Sequence, residues 1–349
     1  MVRDSIHHPM EAGLTHTLTI AIPMAGWGTR MRPHTWSKPK PLLPLAGKTV
    51  LDYVLAQFNS VPASFKIEYV FIVGPGQQTA IEAHMQQHHP DLTVHYVVQE
   101  VMRGQSDALH LAREYLHGPM LMAFSDTLIE TDLSFLAHTD VDGIAWVKPV
   151  PDPRRFGVAE VNAEGWVTRL IEKPQDLSNN LVVVGFYYFR SGEALVAAIE
   201  EQMQRGLALR GEYFLADAIN ILLERGARFR TQKVDIWLDA GIPEALLETN
   251  RYLLEHGHDN SAEVIQRAGV AVIPPVYVHP DAQLNNVVIG PHVSVGRGCV
   301  LESCVISDSV LDEGSHIRNT VLTGSLVGRR VRFEGTPHRL NLGDDAWVK

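Results

Sequence analysis

Polar and charged residues gather at a few points where short apolar runs end. The first is Met24-Ala25-Gly26-Trp27-Gly28-Thr29-Arg30-Met31, directly after the apolar run Leu18–Pro23. Glycines at a strand end let backbone N–H groups approach a polyphosphate closely. Arg30 follows them, and Lys40 stands within Lys38-Pro39-Lys40-Pro41-Leu42-Leu43-Pro44, whose prolines stiffen the chain. Two cations beside a glycine-rich turn suit a triphosphate; the plainer reading is a tight turn carrying solvated charges. Gln99, followed by Gly104, Asp107 and Ala108, brings an amide donor and an amide acceptor, the pair a nucleobase edge requires. The alternative is a strand-end glutamine on a surface loop. Asp126 closes Phe124-Ser125-Asp126 after another apolar run, and Asp239 lies in Trp237-Leu238-Asp239-Ala240-Gly241. Strand carboxyl ends are where α/β sheets hold ligands, and Mg2+ takes one or two carboxylates with phosphate oxygens and water. A lone aspartate there is more often a cap or turn residue. Glu172-Lys173-Pro174 reads by itself as an exposed charged strand end.

Elements alternate so as to bring such strand ends together. Leu18–Pro23, Tyr69–Val73, Val94–Val98 and Met120–Phe124 read as strands, with helical patterns over Thr49–Phe58, Thr79–His88 and Ser106–Tyr115. This alternation predicts a three-layer, Rossmann-like α/β domain with a mostly parallel sheet. Further strands are expected at Ile144–Val147, Gly157–Val161, Val167–Glu172 and Val182–Phe189, and helices at Leu215–Arg225 and Pro243–Glu255. Beyond that the period changes. The aliphatic positions Val272, Val278, Leu284, Ile289, Val295, Leu301, Ile306, Leu311, Ile317, Leu322 and Val327, then Phe333, are five or six residues apart. A helical face cannot hold such gaps for so long, so residues from about 270 to about 335 are expected to stack inward as a parallel β-helix of roughly four coils.

With those motifs in order, Thr17 to Glu255 resembles the sugar-phosphate nucleotidyltransferases, the group that includes glucose-1-phosphate thymidylyltransferase and UDP-glucose pyrophosphorylase, and residues 17–258 are expected to form the catalytic domain. Ala25–Pro44 is similar to their G-x-G-T-R … K-x-L-L-P signature. The resemblance implies nucleotide binding by Ala25, Gly26, Gly28, Thr29, Arg30 and Lys40. It further implies that Gln99 reads a pyrimidine, with Gly104 against the base. It assigns Mg2+ to Asp126 and Asp239, and the sugar phosphate to Gly157, Glu172, Lys173, Gly185 and Glu212, with Lys173 on the phosphate. Arg30, Lys40, Asp126, Lys173 and Asp239 would form the catalytic set. Residues 259–349 resemble the left-handed β-helix and tail of longer members, and 1–16 read as a flexible tail. Departures from the family pattern are Met102 in place of a proline, Ser125 in place of a glycine, and Lys38, which lies off the motif's register.

Composition is consistent with this. A chain of 349 residues with 45% hydrophobic residues can build two domains. A net charge of -10 argues against a nucleic-acid partner, which would need a basic face. Two cysteines make no disulfide framework, no run is long enough to span a membrane, and a cytoplasmic setting is expected. The expected reaction is Mg2+-dependent transfer of a nucleotidyl group from dTTP or UTP to glucose 1-phosphate, releasing pyrophosphate, in a homo-oligomer. Mannose 1-phosphate with GTP is the alternative pair. Two other classes stand beside it: a non-catalytic nucleotide-sugar sensor on the same fold, and acyl transfer by the solenoid, where His279, His292 and His316 lie.

Overall fold

The structure, a computed structural model, describes residues 16–335. The tail expected over 1–16 lies outside them except for His16, which already belongs to the first strand. Contacts divide the chain into two compact units: 1–27 with 54–237, and 28–53 with 238–349. This differs from the division at 258 drawn from sequence, because a segment near the start and a helix before the repeats cluster with the solenoid.

The first unit holds one nine-stranded sheet. Its strands are β1 (His16–Pro23), β2 (Phe65–Val73), β3 (Val94–Val98), β4 (Met120–Ala123), β5 (Gly143–Pro149), β6 (Gly157–Val161), β7 (Val167–Glu172), β8 (Leu181–Phe189) and β9 (Phe229–Lys233). The order is β7-β6-β8-β4-β1-β2-β3, with β5 pairing both β8 and β9. Parallel pairing joins β1 to β2 and β4, β2 to β3, and β5 to β9. Antiparallel pairing joins β8 to β4, β5 and β6, and β6 to β7. Only β7 and β8 therefore run against the common direction, and the sheet is mostly parallel as expected. In β1 every side chain from Leu18 to Ile22 is buried, the continuous apolar run of a strand covered on both faces.

Helices α1 (Val50–Ala56), α2 (Gln78–His88), α3 (Gln105–Leu111), α4 (Gly192–Gln204), α5 (Leu215–Glu224) and α6 (Pro243–Glu255) complete the main elements. The core of the first unit packs Ala108 and Leu109 of α3, Leu195 and Ile199 of α4, and Ile219 and Leu222 of α5 against Ala21, Val70, Met122 and Ala145 of the sheet. Sequence reading passes over α4 and β9. Helix α4 buries Leu195, Ala198, Ile199 and Gln202, and the Ser191 hydroxyl caps it by accepting from the Ala194 N–H at 3.1 Å. Gln202 hides the pattern: it is polar yet buried, because its amide donates to the Phe214 carbonyl at 2.8 Å. Strand β9 buries only Phe229 fully, so no alternation marks it.

The second unit contains the expected parallel β-helix. Two sheets stack in register, with Val276 over Val293 and Val310 over Leu326, so each coil takes 16 or 17 residues. Val278, Ile289, Val295, Leu301, Ile306, Leu311 and Ile317 line its core, with both cysteines buried among them. Three columns of left-handed residues turn the chain at that pitch: Gly269, Asn286, Ser303 and Asn319; then His292, Asp308 and Gly324; then Gly298, Gly314 and Arg330. Asparagine, aspartate and glycine tolerate this conformation best. Phe333, also expected inward, pairs in register with the buried Ile317 yet is 46% exposed, because its strand is the last of its sheet and has a neighbouring strand on one side only. No helix among the described residues is long and apolar enough to cross a membrane.

Candidate active site

In the first unit the carboxyl ends of β1, β2, β3 and β4 lie along one sheet edge, as parallel pairing demands. β1 passes into Met24, Ala25 and Gly26, and the Met24 N–H donates to the Ile72 carbonyl at 2.7 Å. Gln77, unnoticed in the sequence, braces this turn from the next strand end. Its carbonyl accepts from the Gly74 N–H at 3.0 Å, and its amide donates to the Gly26 carbonyl at 3.3 Å.

Gln99 sits at the end of β3, where its N–H donates to the Val73 carbonyl at 2.9 Å. Its side chain is buried and held. The amide nitrogen donates to Asp107 Oδ2 at 2.8 Å and to the Gly104 carbonyl at 3.2 Å. Arg103 lies 3.0 Å from the other Asp107 oxygen. The amide hydrogens are thus committed inside the protein, and the carbonyl oxygen is the group left to address a ligand. Gly104 has φ of 96°, and a Cβ there would stand 2.4 Å from the Tyr213 carbonyl oxygen. No side chain fits that approach. Backbone bonds run from Ser106 N–H to the Tyr213 carbonyl at 3.1 Å and from Tyr213 N–H to the Arg103 carbonyl at 2.8 Å. The loop after Gln99 is therefore fastened to Gly211-Glu212-Tyr213, the segment expected on the sugar side.

Asp126 lies half-buried in the turn after β4. The preceding Phe124 donates its N–H to the Gly185 carbonyl at 3.0 Å, and its ring fills the space a side chain at Gly185 would need. Gly185 thereby shapes the turn that presents Asp126.

Gly157 and Glu172 face each other across the β6–β7 pair. Burial pushes the Glu172 carboxyl above its ordinary range; Lys173 opposes this, while Asp217 and Glu212 reinforce it. Lys173 has a positive φ of 49°, and its ammonium lies 3.8 Å from Glu172 Oε1 and over the Phe214 ring at 4.4 Å. The structure thus gathers Gly157, Glu172, Lys173 and Glu212 on one side of the first unit, and adds Asp217, which carried no motif.

The second unit holds Gly28, Thr29, Arg30, Lys40 and Asp239. Gly28 starts a short 3-10 turn, Thr29–Met31, and Arg30 on it is exposed. The Thr35 hydroxyl donates to the Gly28 carbonyl at 2.8 Å, and Lys40 begins a second such turn, Lys40–Leu42, with its side-chain stem against Gly28. Both expected phosphate cations thus belong to one folded-back segment. Asp239 ends the strand Trp237–Asp239; its Oδ1 accepts from the Gly241 N–H at 2.7 Å, and Pro243 starts α6 two residues on. As donors, Asp126 and Asp239 are each a partly exposed carboxylate at a strand end, a hard oxygen ligand of the kind Mg2+ takes. The residues therefore fit that ion.

Comparison with known proteins shows the family of the chain. Residues 21–256 match the Nucleotidyl transferase family. The chain is 29% identical to the glucose-1-phosphate thymidylyltransferase of Streptomyces griseus, over 91% of this chain and 96% of that one. It is 30% identical to the low-salt glycan biosynthesis nucleotidyltransferase Agl11 of Haloferax volcanii, over 93% and 98%. A UDP-glucose pyrophosphorylase complexed with UDP-glucose shares the fold at a TM-score of 0.58 and 20% identity, over 69% of this chain and 99% of that one. With strand ends, glycine-rich turn and family model all in agreement, this chain belongs to the nucleotidyl transferase family.

Proposed function

We propose that this protein transfers the nucleotidyl group of dTTP or UTP to glucose 1-phosphate, with Mg2+, releasing pyrophosphate. Residues 17–258 would carry both substrates. The observation that supports it most is the backbone pairing of the Gln99–Ser106 loop with Tyr213, since it joins a base-reading motif to a sugar-side motif distant in sequence. Relatives that bear the thymidylyltransferase name over almost their whole length support the choice of nucleotide.

The sugar 1-phosphate is already an anion at neutral pH, so no general base is required. Its phosphate oxygen attacks the α-phosphorus, and the α–β bond breaks to free pyrophosphate. What the protein must supply is alignment and charge neutralisation. Arg30 and Lys40 offset the triphosphate charge. Lys173 orients the attacking phosphate, and Glu172 and Glu212 accept hydrogen bonds from sugar hydroxyls. Asp126 and Asp239 would hold Mg2+, which supplies Lewis-acid stabilisation of the phosphate charge.

The test is a panel of four nucleoside triphosphates against several sugar 1-phosphates, read by pyrophosphate release. Turnover should be highest with dTTP or UTP and glucose 1-phosphate. A clear preference for GTP with mannose 1-phosphate would replace the substrate pair, and absence of release with every combination would end the proposal.

A further inference from the structure

The segment that carries Arg30 and Lys40 is bonded to the solenoid within the second unit. Lys38 Nζ lies 2.6 Å from Asp312 Oδ2, with the two side chains only 11% and 10% exposed. Arg329 Nη2 donates to the Ser37 carbonyl at 3.1 Å, while its Nη1 lies 3.2 Å from Glu313 Oε1. Asp312 and Arg329 come from neighbouring coils, which are joined there by the Asp312 N–H donating to the Val327 carbonyl at 2.9 Å. Asp312 is itself oriented, since its Oδ1 accepts from the Glu313 N–H at 2.8 Å. Further along the same segment, the Ala46 N–H donates to Asn250 Oδ1 at 3.0 Å, and that oxygen also accepts from the Ser294 hydroxyl of the solenoid at 2.7 Å.

Two coils thus offer a carboxylate and a guanidinium to adjacent residues, Lys38 and Ser37, separated from Lys40 only by Pro39. An exposed loop with two cations would have to be ordered each time a triphosphate bound. Ordering it in advance removes that cost from binding. The Lys38–Asp312 pair is also mostly withdrawn from water, where losing one partner strands the other charge.

We propose that the β-helix is the positioning scaffold of the triphosphate-binding segment, with Asp312 and Arg329 as positioning residues acting through Lys38 and Ser37. This rests on the reading of Arg30 and Lys40 as phosphate ligands. It gives the solenoid a part in catalysis that needs neither acyl transfer nor a second subunit.

The experiment uses the full chain with dTTP or UTP and glucose 1-phosphate. Asp312→Asn should raise KM for the nucleotide about tenfold, equal to about 1.4 kcal/mol, and leave KM for glucose 1-phosphate unchanged. The reversed pair, Lys38→Asp with Asp312→Lys, should regain much of the loss. Unchanged constants in Asp312→Asn overturn the proposal. So does an equal rise in both constants together with a lower melting temperature, because a merely structural contact would act that way. Arg30→Ala, measured in parallel, separates the two readings. If it leaves the nucleotide KM unaltered, the phosphate assignment fails and the scaffold role falls with it. If Arg30→Ala weakens the nucleotide while Asp312→Asn is silent, only the scaffold role fails.

Discussion

The side-chain amide of Gln99 donates to the Asp107 carboxylate at 2.8 Å, and both residues are buried. A free glutamine amide can turn over and present either end to a base. Here the carboxylate engages the nitrogen, so the carbonyl oxygen is the end left to act as an acceptor. Uracil and thymine offer an N–H at the matching position of the ring; cytosine offers a bare nitrogen. Asp107→Ala should therefore raise KM for UTP or dTTP and reduce the preference over CTP by roughly tenfold, the scale of one hydrogen bond to a charged or well-placed group. Competition between UTP and CTP in one assay measures it. An unaltered preference would show that Asp107 does not orient Gln99.

Gly104 combines a positive φ with a backbone oxygen of Tyr213 where a Cβ would go. Alanine there must shift the loop or break the pairing of Ser106 with Tyr213. Gly104→Ala is expected to cost about 1–3 kcal/mol of stability from backbone strain and to depress kcat/KM for both substrates, since the loop touches both sides of the site. Thermal unfolding and steady-state kinetics on the same preparation check this.

If Asp126 and Asp239 share one Mg2+, their effects cannot add. Each change to asparagine should lower kcat by roughly 100-fold or more, the scale seen when a charge-stabilising group is lost. The double variant should then be little worse than either single one. Circular dichroism should stay that of the wild type throughout. Losses that multiply would place the two aspartates in independent roles.

Glu172 carries a pH signature. Burial raises its pKa, so its contribution to stability is complete below the ordinary glutamate value and is lost as pH rises through the raised one. Binding runs the other way, because only the carboxylate accepts hydrogen bonds with both oxygens. KM for glucose 1-phosphate should therefore fall as pH rises from about 5 to about 8, past the usual carboxylate range. Glu172→Gln should flatten that dependence and melt higher than wild type at neutral pH. A variant with the wild-type pH profile would assign the titration to another group.

Much of this was readable from the residues alone. Runs such as Leu18–Ile22 and Val94–Val98, and the five- and six-residue steps from Val272 to Val327, are local repeats, and a local repeat dictates the element that buries it. The glycine-rich turn and the strand-end aspartates follow from the same logic. Helix α4 and strand β9 escaped because Gln202 is buried through a bond to Phe214 and because β9 buries fully only one side chain. Only the tertiary structure decided that Gln77 braces Gly26, that Asp107 turns Gln99, that Gly104 lies under Tyr213 and that Lys38 belongs to Asp312. Each of these joins residues through a hydrogen bond, a close approach or an ion pair, and all but one across a long stretch of chain. Such pairs leave no period in the sequence, since their spacing along the chain is arbitrary while their spacing in the fold is set by the packing of strands and coils between them.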